Sequence, residues 1–588
     1  MASTTLKLCY RYSPYILLWL FFLIFQVILF GRPSEKEPSR HDTPAAADTT
    51  NTGTNDMRYL KDNADPNNNN NNNLTRPKSA DARFNNVDVY YQEASTLKTL
   101  PVSDYHCVGR TTASINNKQE QALYETNYSW MFRSCHFQNL CLDTQTKEFL
   151  LIDDSTDTTN ETITTPPQAV AMGSINPRWS GRGYNKGFHK VKWSPTKITT
   201  AQMRQAYKGY YALPDHVVLI PFHSMAAHNV GHLIWDDFYP IFTVLQLFGL
   251  LSNNTTNIRQ KILPIRWIVP DDNNNNKNQL YATCEMQKKK SRQCQENYQR
   301  FLQPLLGVDP QTFSTTKNLQ LQPVDNGMLL QSSLVCAKHA VAGIGMLSDH
   351  GLRDHGWLLG DPQAVPHNIG RGSVFRDFRD FMVRNVLQQT PPQQSATSNN
   401  NNNNNDDDDP ANNNNDNNKN TDSINSHKPR KITFSTHSSK GFERSLGFEN
   451  QTAAVQRALL HHVSANHTAS NEIVVQNFTM RDLTIEEQVQ VALESAIFVT
   501  VSGGGAVTAT FLPPGSTLIV YYLEDGGFDY WNTSYTYTPA RLDWDLLNTA
   551  AHFRVHWLPM KTMNQPGDVK LLEQLVMHEL EIMGLLGQ

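Results

Sequence analysis

Apolar residues in the C-terminal third of the chain fall in short unbroken runs, not in alternation. Residues 497–501 (Ile-Phe-Val-Thr-Val) and 517–522 (Thr-Leu-Ile-Val-Tyr-Tyr) are apolar and rich in β-branched side chains. Such runs are strands of a parallel sheet covered on both faces. Between them lies Ser502-Gly-Gly-Gly505, a turn with almost no side chain, whose backbone another molecule can approach. A short helix follows, and Pro513, Pro514 and Gly515 stop it. Upstream, residues 431–435 read as a strand, 452–463 as a helix, 472–476 as a strand and 484–493 as a helix. Thr484-Ile-Glu-Glu487 offers that last helix a capping box. Strands that alternate with helices predict a parallel sheet with right-handed crossovers. The N-terminal half is less regular, but residues 216–221, a helical stretch after Val230, and 266–270 again give strand, helix, strand. Two such halves predict an α/β protein that binds its ligand between them.

Low-complexity sequence divides the chain. Residues 15–31 form an apolar run preceded by Lys7 and Arg11, near the short end for a spanning helix, with a poor cleavage site behind it. This predicts a signal anchor, with residues 1–14 cytosolic and the remainder lumenal by the positive-inside rule. Residues 32–84 carry the Asn67–Asn73 run and too little apolar surface to order, which fits a stem. Residues 388–428, with runs of Asn and Asp, separate an N-terminal domain at 85–387 from a C-terminal one at 429–588.

Net charge of −4 leaves no electrostatic footprint for nucleic acid. Nine Asn-x-Ser/Thr sequons occur, a number an Asn-rich chain reaches by chance, so they carry no weight. Six cysteines follow the anchor, an even count that predicts disulfides in an oxidising lumen. Short spacing favours the pairs Cys135–Cys141 and Cys284–Cys294. No Cys-x-x-Cys occurs, which argues against a metal cluster.

The segment 221–240 concentrates groups that can move protons. His232 and Asp236 are four apart and share a face if a helix starts near Asn229, with His228 just outside it. A carboxylate that orients an imidazole and raises its basicity suits a general base, and a plain structural ion pair fits the same spacing. For an anionic ligand, Ser502, Gly503, Gly504, Gly505 and Thr508 at the turn and helix start offer backbone N–H groups, with Lys440 and Arg444 as cations after the 431–435 strand. Asp271-Asp272 and Asp543-Trp-Asp545 are the acidic pairs of a kind that holds a divalent cation; neither is favoured, and no metal or other cofactor is expected.

Three motifs carry a resemblance to a known family. Residues 502–515 resemble the C-terminal motif of glycosyltransferase family 61 and its DUF563 relatives, roughly His-Gly-Ala-Gly-Leu-Thr-Asn, then, after two residues, Leu-Pro-Pro-Gly. The glycines and Phe511-Leu-Pro-Pro-Gly515 match, whereas Ser502 replaces the family histidine and Val507-Thr508 its Thr-Asn. The role of that histidine therefore does not carry over. Asn229, His232, Asp236 and Pro240 match the family's His-x-x-x-Asp segment, and Phe132–Leu142 is similar to the Cys-x-Phe-x-Asn-Leu-Cys segment that opens its domains. Arg444 is the nearest match to an arginine-bearing loop of the family. The resemblance implies two Rossmann-like domains in the GT-B arrangement behind a type II anchor in the Golgi or endoplasmic reticulum. It also implies a nucleotide-sugar donor, a glycan or glycoprotein acceptor, and inversion at the anomeric carbon. Asp236, or His232 oriented by it, would take the acceptor proton, with His228 and Asn229 on the acceptor side. Two alternatives stand beside it: a metal-dependent transferase using Asp543 and Asp545, and a lumenal glycan-binding protein without activity.

Overall fold

The computed structural model describes residues 80–93, 102–109, 130, 133–154, 168–175, 189–224, 227–251, 261–267, 288–324, 332–343, 371–389, 429–436, 448–466, 473–522, 547, 550–560 and 562–586. The chain separates into two units, residues 1–76 and 77–588, and all described residues lie in the second. The expected anchor at 15–31, nearly all of the stem and nearly all of 388–428 lie outside them. Among the described residues no helix is long and apolar enough to cross a membrane.

The protein is a mixed α/β fold with two main sheets. The N-terminal strands are β1 (Ala82–Phe84), β2 (Val87–Glu93), β3 (Asp104–Gly109), β4 (Arg133–Asp143), β5 (Phe149–Asp153), β6 (Val170–Ile175) and β7 (His189–Trp193). They continue with β8 (Thr196–Thr199), β9 (Gly209–Ala212), β10 (Val217–Phe222), β11 (Lys261–Arg266), β12 (Ser314–Thr315), β13 (Leu321–Pro323) and β14 (Leu334–Ala342). β6 and β7 pair as a ribbon, and the other twelve form one mixed sheet. Its parallel portion runs β12-β11-β10-β14, with β9 also parallel to β14, and the strand order reverses between β10 and β14. β4 closes the far edge of β14 antiparallel over most of its length. β1 begins inside the segment assigned to the stem by composition; Ala82 and Phe84 are fully buried there.

The second sheet contains β15 (Lys431–Ser435), β16 (Val474–Phe478), β17 (Ser495–Val501), β18 (Thr517–Tyr522) and β19 (Arg554–Pro559). All pairs are parallel and the order is β16-β15-β17-β18-β19, reversing between β15 and β17. Every residue of β17 is buried, as its unbroken apolar run predicts. Phe498, Leu518 and Val520 face one core; Ile497, Val499 and Ile519 face another, under the Glu449–Asn466 and Pro566–Ile582 helices. The capping box at Thr484 forms: Glu487 N–H donates to Thr484 Oγ1 and Thr484 N–H to Glu487 Oε2.

One hydrophobic core joins the two sheets. It takes Val218, Ile220 and Phe222 from β10, Leu233 and Phe238 from the helix after it, and Phe375 and Phe378 from the Arg371–Gln389 helix. From the C-terminal half it takes Val489, Phe498, Val507 and Phe511. The halves therefore meet through shared apolar packing and do not depend only on the low-complexity connection.

Two local expectations require correction. The strand read at 266–270 lies instead at Lys261–Arg266, across Pro264. Its outer partner β12 covers only Ile265 and Arg266, so Pro264 sits on a nearly open edge, where a missing N–H is tolerated. The Cys135–Cys141 pairing is also wrong: Cys107 bonds Cys135 and Cys141 bonds Cys336. Cys135 and Cys141 both lie on β4, where six residues of extended chain separate them by about 20 Å. Each instead faces the cysteine directly opposite on a neighbouring strand. Cys294 is disulfide-bonded and buried; its expected partner Cys284 lies outside the described residues.

Candidate functional site

The carboxyl edges of the two parallel arrays lead into the His228–Asp236 segment and the Ser502–Gly505 turn. In open α/β sheets ligands bind outside the carboxyl ends of the strands, where the strand order reverses. In the C-terminal sheet that point lies between β15, ending at Ser435, and β17, which runs into the glycine turn. Gly503 has φ +115°, a conformation that only glycine adopts readily. A Cβ on Gly505 would lie 2.4 Å from Thr500 Oγ1 and 3.0 Å from Ser435 Oγ, so the turn closes directly over the two strand ends. A Cβ on Gly504 would meet nothing within 4 Å, and Gly503 and Gly504 are exposed. The turn thus presents open backbone at the first positions of the Gly504–Thr508 helix, where N–H groups lack an intrahelical acceptor. Ser502 is half-buried beside it. Thr508 faces inward: it is buried and its hydroxyl donates to Gln488 Oε1 at 3.1 Å. Lys440 and Arg444 lie outside the described residues.

In the N-terminal sheet the reversal lies between β10 and β14. β10 runs through His223 and Ser224 towards Asn229, which caps the next helix by accepting from Gly231 N–H at 3.0 Å. The helical stretch is α-helical at Val230–His232, π-helical at Leu233–Phe238 and α-helical again at Tyr239–Leu247. π-Helical turns recur at functional sites. His232 Nδ1 and Asp236 Oδ2 are 2.6 Å apart. A carboxylate there holds the proton on Nδ1, so the imidazole carries its lone pair on Nε2, the tautomer a general base needs. The same contact also serves as a plain helix i,i+4 pair. His228 is half-buried and Asn229 exposed just before the helix.

Next to this pair sits a buried cluster that the sequence reading missed. Asp237 is 3% exposed and accepts from Ser224 Oγ at 2.7 Å and Tyr298 Oη at 2.6 Å, both on Oδ2. Burial pushes its carboxyl up to about 7, against the two hydrogen bonds and the Arg266 charge, with Asp236 adding to the rise. His223, also buried, is lowered to about 4 by desolvation, so it is neutral, with Nδ1 3.2 Å from Trp267 O. His223, Asp236 and Asp237 border a cavity of about 10 Å³ with Gly343 of the post-β14 turn, room for a water at most. The adjacent carboxylates in Trp235-Asp-Asp237 were the available signal; Tyr298, 61 residues away, was not legible.

The chain matches no protein-family model, and no curated protein matches it.

The two edges are brought together by their helices. A Cβ on Gly231 would lie 3.2 Å from Val507 Cγ2, so the His232 helix and the post-glycine helix pack nearly backbone to side chain. Trp235, one residue before Asp236, donates Nε1–H to Thr510 Oγ1 at 3.0 Å. Arg300 Nη2 donates to Leu483 O at 2.9 Å, a further tie between the halves. Among the described residues no group of three or more His, Cys, Asp or Glu could hold a metal ion.

Proposed function

We propose that this protein is an inverting glycosyltransferase of the secretory pathway, a type II membrane protein with two Rossmann-like halves in a GT-B-like arrangement. The observation that carries the reading is the meeting of two strand-order reversals: one edge bears the His232–Asp236 pair, the other the open glycine turn, and their helices pack on each other. The resemblance to family 61 assigns the roles. The Ser502–Gly505 turn takes the donor diphosphate on the backbone N–H groups at Gly504 and Gly505, since Ser502 N–H already donates to Tyr521 O at 2.8 Å, with Lys440 and Arg444 supplying positive charge as the nucleoside diphosphate departs. Asp236, acting directly or through His232, removes the acceptor hydroxyl proton; the oxygen attacks the anomeric carbon from the face opposite the leaving group. His228 and Asn229 border the acceptor, and no metal takes part.

The test is release of nucleoside diphosphate from a panel of nucleotide sugars, with and without EDTA. Turnover that survives EDTA supports the reading. Turnover abolished by EDTA replaces it with a metal-dependent transferase using Asp543 and Asp545. Neither binding nor turnover leaves a lumenal glycan-binding protein, the reading that Ser502 in place of the family histidine favours.

A further inference from the structure

His106, His136 and His339 stand on one face of the N-terminal sheet. His106 on β3 lies directly opposite His136 on β4. His136 in turn lies opposite Val341 on β14, and His339, two residues before Val341, shares that face. His136 and His339 are half-buried, and His136 Nε2 is 3.2 Å from His339 Nδ1. Their ring centroids are 5.4 Å apart with only 20° between the planes, so the two nitrogens lie close to the line that joins the rings. One N–H therefore points at the facing lone pair, in a hydrogen bond between imidazoles.

Phe248, which ends the Tyr239–Leu247 helix, packs on this cluster. Its ring centroid lies 5.7 Å from that of His136 and 6.5 Å from that of His106. The pair thus ties together β4, β14 and the end of that helix, and the last two wall the candidate site. β14 runs on to Gly343, which borders the small cavity with Asp237. The helix continues the π-helical turn that carries Asp236.

Among the described residues, the charged or titratable groups that act on the pair are Asp104 and His106 from β3, Lys338 from β14 and Asp215 ahead of β10. Lys338 and Asp215 are themselves paired at 2.7 Å. Desolvation, with His339 and His106 beside it, holds His136 below the ordinary histidine value against the pull of Asp104. Desolvation and Lys338 do the same to His339 against Asp215. A hydrogen bond between two imidazoles needs one donor and one acceptor. A first added proton leaves it intact, as imidazolium to imidazole. A second puts hydrogens on both facing nitrogens, and attraction turns into repulsion between two cations.

We propose that His136 and His339 form a pH-sensitive latch that holds the end of the Tyr239–Leu247 helix on β4 and β14 at neutral pH and releases it when both imidazoles are charged. The opened state binds the protons more readily, so the latch is at full strength above about pH 6.5 and weakens as pH falls below it. It stands whether or not the chain transfers a sugar.

The experiment follows backbone hydrogen exchange of the full-length protein by mass spectrometry at about pH 7 and about pH 5.5, corrected for the intrinsic rate. Peptides from residues 239–250 should lose about two- to tenfold in protection at the lower pH, the equivalent of one side-chain hydrogen bond. Peptides from β17 and β18, in the other sheet, should keep theirs. The buried His223 and His552, each lowered to about 4, stay neutral over this range. The double variant His136→Gln, His339→Asn places a carboxamide at each facing position, which keeps a donor and an acceptor there but does not titrate; it should abolish the response at 239–250. Exchange at the imidazole C2 carbon of the wild type, which does not depend on the variant folding, should show both histidines titrating below about 6.5. Equal protection of 239–250 at the two pH values, a response that persists in the double variant, or either imidazole titrating above about 6.5 would each overturn the proposal.

Discussion

Replacing Asp237 by Asn tests the electrostatics at the β10 edge directly. The carboxyl is fully buried and raised from 3.8 to about 7, chiefly by desolvation. Both of its donors, Ser224 Oγ and Tyr298 Oη, use Oδ2. Oδ1 is thus the oxygen left to carry a proton, and an Asn carbonyl in the Oδ2 position preserves both hydrogen bonds. The folded value lies above the unfolded one, so the folded state binds the proton more tightly. Relative to a side chain that does not titrate, the wild type is favoured most below about pH 4 and loses that advantage as pH rises to about 7. The difference of about 3 pH units corresponds to about 4 kcal/mol, at 1.36 kcal/mol per unit. Burial removes the solvent screening that would discount this figure. Urea unfolding followed by tryptophan fluorescence, at half-unit steps from pH 4 to 8, gives the comparison. The stability of the wild type minus that of Asp237→Asn should fall by about 1.4 kcal/mol per pH unit between about 4 and 7 and then level off. Parallel profiles for the two proteins across that window would refute the reasoning, because they would mean that Asp237 is ionised throughout or does not titrate differently on folding.

Further outcomes are expected at the glycine turn, at Asp236 and at the disulfides. Gly505→Ala should destabilise the protein by about 1–3 kcal/mol, because its Cβ would press on Thr500 and Ser435; Gly504→Val should leave unfolding nearly unchanged and weaken nucleotide-sugar binding in calorimetry, and unchanged binding would remove the donor from the turn. Asp236→Asn should lower turnover by about 10²–10⁴-fold, the usual range for lost acid–base catalysis, with donor affinity preserved; full activity would make the His232 contact structural. Non-reducing peptide mapping should recover Cys107–Cys135 and Cys141–Cys336 as linked pairs, and the Cys141→Ser, Cys336→Ser double variant should lose about 2–5 kcal/mol; a Cys135–Cys141 peptide would contradict the β4 register.

What the sequence determined by itself were the features set by local pattern. The unbroken apolar runs at β17 and β18 coincide with strands, because a strand buried on both faces has little room for polar positions. Thr484 caps its helix as read, because capping depends on residues two or three apart, and the His232 helix starts at Asn229 as expected. The His232–Asp236 contact follows from helical spacing alone. Tertiary structure decided what depends on distant partners. The disulfides follow strand register: Cys141 meets Cys336, 195 residues away, and short spacing misled because β4 is extended. Thr508 is spent on Gln488, and Gly505 is required by Ser435, which arrives from another strand. Asp237 differs most from its sequence appearance. It sits beside Asp236 in the chain, yet only the packing of β10, the π-helical turn and Tyr298 removes it from water, and desolvation, a property of the assembled core, raises its carboxyl towards neutrality.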